Sequence, residues 1–302
     1  MDEQGMIARR SLEAGQSCVI HIFDARSHEV VEIYRTRQLA LEAPNWHRDG
    51  RLFLNGDGHL WQFDLASLQL DRIDCPGLPF LNNDHVLAPD GEMIFVSACD
   101  WHIHRINLAD ATHVQVSTHD TERPLRHFLH GISRNGAELA FVGIEPQGDD
   151  TWGCANIFTM PVKGGAARQL TFGNKPADGC EYSPDGQWIY FNSEAFSDIP
   201  GHAQIVRIAH AGGTAEQLTF DERVNWFPHL SPCGTLACYL SYPPGTVGHP
   251  ANVPVQVRLV AMENWTGDKA VFSCIGGQGT MNVNGWSPDG HAFAFISYPF
   301  DD

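Results

Sequence analysis

Four side chains stand out by type and spacing: His85, His130, Glu181 and His229. Six segments of the 302-residue chain share a short turn that ends in glycine, at Gly50, Gly91, Gly136, Gly186, Gly234 and Gly290. His85 and His130 each lie six residues before their glycine, and Glu181 and His229 each lie five before theirs. If the segments repeat around an axis, equivalent slots face one centre, where three imidazoles and a carboxylate would meet. Such a set could bind one divalent metal ion through His85, His130 and His229, with amide oxygens and water completing the shell. The same four could also be catalytic without a metal, because histidine titrates near neutrality and a carboxylate fixes its tautomer.

The stretches leading into these slots are rich in hydroxyl-binding groups. They read FLNNDH, RHFLH, KPADGCE, NWFPH, GHPAN and GGQGTMNVN. From them Asn83, Asp84, Arg126, Asp178, Asn225, His249, Asn252, Gln278 and Asn282 are candidate ligand-binding residues, with Trp226 and Phe227 as an apolar or ring-stacking wall. Arg123, Arg126, Lys175 and Arg223 bring positive charge to the same stretches, so an acidic ligand is allowed. His102 and His104 alternate on one strand face, and are expected on an outer strand facing solvent. There is no GxSxG elbow, and GGQGT lacks the lysine of a phosphate loop.

The elements that must position these residues come from the repeat itself. The six segments are NWHRDGRLFLN, VLAPDGEMIFVS, GISRNGAELAFVG, EYSPDGQWIYFNS, HLSPCGTLACYLS and GWSPDGHAFAFIS, with glycines 41 to 56 residues apart. That period is the size of a four-stranded propeller blade. In the Pro-Asp-Gly turn proline presets φ, aspartate bonds back to the backbone and glycine accepts φ > 0. An alternating strand follows each turn, and two more strands complete the unit, as in QIVRIAH and AEQLTF around an AGG turn. The expected architecture is all-β: one six-bladed propeller over 1–302, of four-stranded antiparallel blades. The blades fall near 43–75, 84–118, 129–171, 180–219, 228–275, and 284–298 together with 18–35. The last unit runs out of chain after two strands, and CVIHIFD and EVVEIYR at the other end supply its missing pair, so that no edge stays open. The loops entering each innermost strand share one rim, and segments 145–154, 195–202 and 243–252 make that rim the longer-looped one, where binding is usually built.

The SPDG turn followed by IYFNS and QLTF resembles the propeller part of TolB and related WD40-like (PD40) repeats, over all but about ten N-terminal residues. This resemblance implies a ligand-binding or protein-binding ring without a hydrolase domain. A histidine-rich metal site on a propeller also resembles the oligogalacturonate lyases.

Composition narrows the partners. With 36 acidic and 19 basic side chains the formal charge is −17, which repels nucleic acid and anionic membrane. No apolar run approaches a membrane span or a signal peptide, and eight scattered cysteines without CxxC pairs suit a reducing compartment, with the thiols buried and free. The expected location is therefore the cytoplasm rather than the periplasm. Two functions follow: a binding module that takes a small ligand, glycan or protein segment at the channel mouth, or a sugar-active lyase or hydrolase using the histidine cluster at the same place.

Overall fold

The computed structural model describes residues 9–118, 123–147 and 152–301. Each repeat becomes one antiparallel sheet, ordered from the channel outwards. The N-terminal strands β1 (Cys18–Asp24) and β2 (Glu29–Thr36) precede five complete blades. The first holds β3 (Leu41–Trp46), β4 (Arg51–Gly56), β5 (His59–Asp64) and β6 (Gln69–Arg72). The second holds β7 (Leu81–Leu87), β8 (Met93–Ala98), β9 (Ile103–Asn107) and β10 (His113–Gln115). The third holds β11 (Arg126–Ile132), β12 (Glu138–Ile144), β13 (Ala155–Pro161) and β14 (Arg168–Gln169). The fourth holds β15 (Ala177–Tyr182), β16 (Trp188–Ser193), β17 (Gln204–Ala209) and β18 (Glu216–Gln217). The fifth holds β19 (Val224–Leu230), β20 (Leu236–Tyr242), β21 (Ala251–Ala261) and β22 (Asn264–Gly277).

The sixth blade is closed as the sequence requires. Strand β23 (Ala292–Ser297) pairs with β1 from Val19 opposite Ser297 to Asp24 opposite Ala292, and β2 lies outside β1. Its innermost place is taken by an irregular segment instead of a regular strand. That segment touches β23 through a Trp286–Phe293 bridge and through Ala294 N–H to Gly285 O (2.9 Å) and Ile296 N–H to Thr280 O (3.0 Å). A tight turn at its start accounts for the irregularity: Gly277 and Gly279 have φ of +107° and +88°, and the Asn282 side chain accepts the Gly279 N–H at 2.7 Å.

The SPDG turn shows why its residues recur. In the fourth blade Ser183 Oγ and the Gln187 N–H both donate to Asp185 Oδ1, Trp188 N–H donates to Ser183 Oγ, and Gly186 sits at φ +71°. Apolar faces of neighbouring blades then pack in pairs; the largest such cluster joins the fifth and sixth blades through Phe23, Trp226, Phe227, Trp286, Phe293 and Phe295. All eight cysteines are free, as expected, but Cys233 is exposed and Cys75, Cys154 and Cys274 are only partly buried. His104 is a correction: it is 5% exposed and hydrogen-bonded to Asp100 at 2.9 Å rather than facing solvent.

Candidate functional site

The innermost strands are not straight repeats of one another. Each of β3, β7, β11, β15 and β19 carries a register shift against its neighbour, placed between Glu42 and Asn45, Leu81 and His85, Leu129 and Gly131, Asp178 and Glu181, and Trp226 and His229. At three equivalent positions the bulge forces φ > 0, at Ala43 (+55°), Gly179 (+63°) and Phe227 (+56°). A bulge inserts one residue and re-aims every side chain beyond it. Residues before it therefore serve the long-loop mouth of the channel, and residues after it serve the opposite end.

A cavity of about 520 Å³ opens at the long-loop mouth, a volume suited to a small molecule. Four residues that line it stand in one slot, eight before their turn glycine: Asn83, Phe128, Asp178 and Asn282. Asn82 and Gln278 add further amides. Its titratable groups are Asp84, His130, Asp178 and His249. Its apolar members are Phe128, Val142, Ile144, Trp152 and Phe227, the last stacked on His130 at 5.9 Å between ring centres.

His130 sits at the centre of the ring and reaches three other blades. Its Nδ1 donates to Asn282 O at 3.1 Å, while Nε2 lies 3.3 Å from Asp178 Oδ1 and 3.9 Å from Asp84 Oδ1. Burial opposes the charged ring, but Asp84 and Asp178 outweigh it and hold the imidazole's pKa up to about 9. Burial pushes the Asp84 carboxyl up to about 6, against the pull of His130. Asp178 ends below the usual carboxylate range: burial works to raise it, and the hydrogen bond and charge of His130 overcome that. His249 is pushed down by burial, so it is neutral at pH 7; it donates Nδ1–H to Gln278 Oε1 at 2.5 Å and packs on Phe227 at 5.2 Å between ring centres.

A chain of amides fixes this floor. Gln278 Oε1 also accepts from Asn282 Nδ2 (2.9 Å), Gln278 Nε2 donates to Asn83 Oδ1 (3.2 Å), and Asn83 Nδ2 donates to Glu42 Oε1 (3.3 Å). Glu42 is paired with Arg10, 3.6 Å away, which lies over the Tyr298 ring and donates to the Gln278 carbonyl and to Asn252 Oδ1. Arg10 falls in the N-terminal stretch that the repeat does not cover, and no sequence signal singles it out.

The remaining expected residues lie elsewhere. His85 does not join His130: the register of β7 shifts by two residues, so Asp84 takes the channel position and His85 Nε2 turns to Phe53 O at 3.3 Å, between blades. Burial drops the His85 pKa to about 4, which makes it a neutral interior residue. His229 and Glu181 pair with each other at 2.8 Å beyond the bulge, and His229 Nε2 is taken by Met281 O at 2.7 Å. Glu181 also accepts the Leu230 N–H (2.8 Å) and Asn284 Nδ2 (2.6 Å), tying the fourth, fifth and sixth blades together. The three imidazoles thus have three separate sets of partners, and among the described residues no three His, Cys, Asp or Glu side chains are grouped to hold a metal ion. The residues do not fit the expected metal set.

Of the expected ligand-binding residues, Asn83, Asp84, Asp178, His249, Gln278 and Asn282 do meet in the cavity. Asn225 is fully buried and hydrogen-bonded to Asp221 and Ser241. Asn252 is held by Arg10, Gln16 and Glu13. Trp226 is 4% exposed and lies behind His249, at 4.5 Å between ring centres. Arg126 covers the Trp101 and Trp152 rings at 4.4 and 5.1 Å. The rim cations are likewise engaged: Arg123 with Glu145, Lys175 with Asp198, and Arg223 with Ser241. Phe128, Val142, Ile144 and Trp152 are the members missed by sequence reasoning. The slot count could have found Phe128, whereas Trp152 comes from the long rim segment 145–154, of which 148–151 lie outside the described residues.

This fold and mouth define a six-bladed propeller of the TolB-like class, closed by its N-terminal strands. The chain belongs to one family with an uncharacterized protein, Atu1656, of Agrobacterium fabrum, to which it is 35% identical over 286 residues, 92% of each chain. It is also similar to the structure of a "putative TolB" from Agrobacterium tumefaciens, at 32% identity and a TM-score of 0.84, covering 94% of this chain and 99% of that one. An oligogalacturonate lyase from Vibrio parahaemolyticus shares the fold at 12% identity and a TM-score of 0.59, over 93% of this chain and 78% of that one. No family model matches the chain. Among the described residues no helix is long and apolar enough to cross a membrane.

Proposed function

We propose that the protein is a binding module whose channel mouth takes a small polar ligand, such as one ring of a glycan. One observation carries this reading: amides and carboxylates from the second, fourth and sixth blades line the same cavity as the rings of Phe128, Trp152 and Phe227. Polar groups and aromatic rings lining one cavity match what a sugar presents, hydroxyls at the edge and C–H groups on the face. The floor is pre-built by the Gln278–Asn83–Glu42 hydrogen bonds, so little ordering cost falls on the ligand. A thermal-shift screen with monosaccharides, amino sugars and uronic acids tests it. A true ligand at 100-fold over its Kd stabilises by about 2.7 kcal/mol, and Gln278→Leu should abolish that shift. A screen with no stabilising compound would overturn the reading.

A sugar-active enzyme is the second reading, and a different observation favours it. Asp84 and Asp178 flank one cavity with their acidities driven apart, the first raised and the second lowered, as acid and base partners require. The step is assigned to no metal. Release of reducing ends from an oligosaccharide that binds, lost in Asp84→Asn, would support it; binding without turnover would leave the module alone.

The cytoplasmic location expected from the sequence stands as a proposal too, supported by eight thiols with no disulfide among them.

A further inference from the structure

We infer that the ligand of the mouth cavity carries a positive charge, an ammonium group received by Asp84 and Asp178 against the aromatic wall. The inference rests on the binding reading above and narrows its chemistry.

The charge count favours a cation. Asp84 and Asp178 are opposed inside the cavity by His130 alone, which leaves one negative charge uncompensated while His249 is neutral. The next titratable groups outward are Glu42, whose carboxyl is pushed up by burial, and Arg10, 3.6 Å from it. Of the rim cations, Arg123 and Lys175 are ion-paired and Arg223 is bonded to Ser241, while Arg126 stacks on Trp101 and Trp152 with its Nη1 unbonded among the described residues.

The two carboxylates also keep unused capacity. Asp84 is 5% exposed and lines the cavity, yet its Oδ1 has only the 3.9 Å contact to His130, which is too long for a hydrogen bond; Oδ2 accepts from Asn82 at 2.8 Å. The Asp178 bonds all fall on Oδ1, from Gly179 N–H (2.6 Å) and His130 (3.3 Å), so Oδ2 is left for the cavity. An ammonium brings three donors and can bond both of these oxygens from within the cavity.

The aromatic lining suits the same guest. Phe128, Trp152 and Phe227 offer ring surfaces, and aromatic faces beside carboxylates are a general means of holding ammonium groups. The overall charge of −17 would draw such ligands towards the molecule.

Matched probes test this by calorimetry: glucosamine against glucose and glucuronate, and phenethylamine against 2-phenylethanol. In each set the ammonium member should bind at least about tenfold more tightly, equivalent to one decade in Kd. That preference should disappear in Asp178→Asn and in Asp84→Asn, with melting curves showing both variants folded. It should also fade in the unaltered protein as pH falls through about 6, where Asp84 takes up a proton. The groups facing Asp84 that could blur this are His130, Asp178 and Glu42, of which His130 stays charged throughout. Trp152→Leu should weaken the amines more than the neutral probes. Neutral probes binding as well as their amines, or better, would overturn the inference and leave the binding reading intact. Failure of every probe would overturn both.

Discussion

His130 is a cation held at the crossing point of four blades, and its charge is part of the fold. Its pKa is raised from 6.5 in the unfolded chain to about 9 in the folded one. A basic group raised in this way stabilises fully below pH 6.5, and that contribution is lost as pH rises through 9. The melting temperature should therefore fall between pH 6.5 and 9, and His130→Gln should flatten that slope while lowering stability at pH 6; equal slopes in the two proteins would remove His130 from this role. Asp84 acts in the same direction at lower pH, since its raised carboxyl opposes folding progressively from about pH 4 to 6. The candidates Asp84, Asp178 and His130 were legible in the sequence as polar residues in inner-strand slots. That they form one cluster, with His85 and His229 outside it, was not.

The bulge is the element that sorts the polar residues. Gly179 is bulged at φ +63°, and a Cβ there would lie 2.8 Å from Asn192 Oδ1 and 2.9 Å from Phe227 Cδ1. Gly179→Ala should cost roughly 1–3 kcal/mol and also weaken ligand binding, because Asp178 on one side and Phe227 on the other belong to the cavity; urea melts beside calorimetry would show both. Beyond the bulge, Glu181 joins three blades through His229, Leu230 and Asn284. Glu181→Leu strands those donors and should cost roughly 1–3 kcal/mol for each one left unsatisfied, read by urea unfolding, with no change in ligand preference if the protein is examined folded. A mutant with altered preference would place Glu181 in the site after all. Sequence patterning marks strands and turns well, but an extra residue inside a short inner strand leaves no mark in a pattern of period two.

At the scale of the whole ring, closure depends on β1 filling the gap between β23 and β2. Phe23 is fully buried against Phe293 in the cluster between the fifth and sixth blades, so Phe23→Ala should cost about 3–5 kcal/mol. A chain lacking residues up to Thr36 would expose the β23 edge and should aggregate or swap strands, visible by gel filtration; a monodisperse monomer would show that closure is dispensable. The sequence by itself determined the six units, the turn chemistry, the partner strands of the last blade and the rim that carries the long loops. Each of these is written locally, in φ preferences at Pro-Asp-Gly and in alternation along a strand. Only the tertiary structure decided which polar side chains meet. Residues 84, 130, 178, 249 and 278 come from different blades and loops, and bulges that shift each inner strand by one or two residues set which of their neighbours face the cavity. The anchoring of Gln278 and Asn252 by Arg10 was also invisible beforehand, because it joins the first residues of the ring to the last and obeys no repeat.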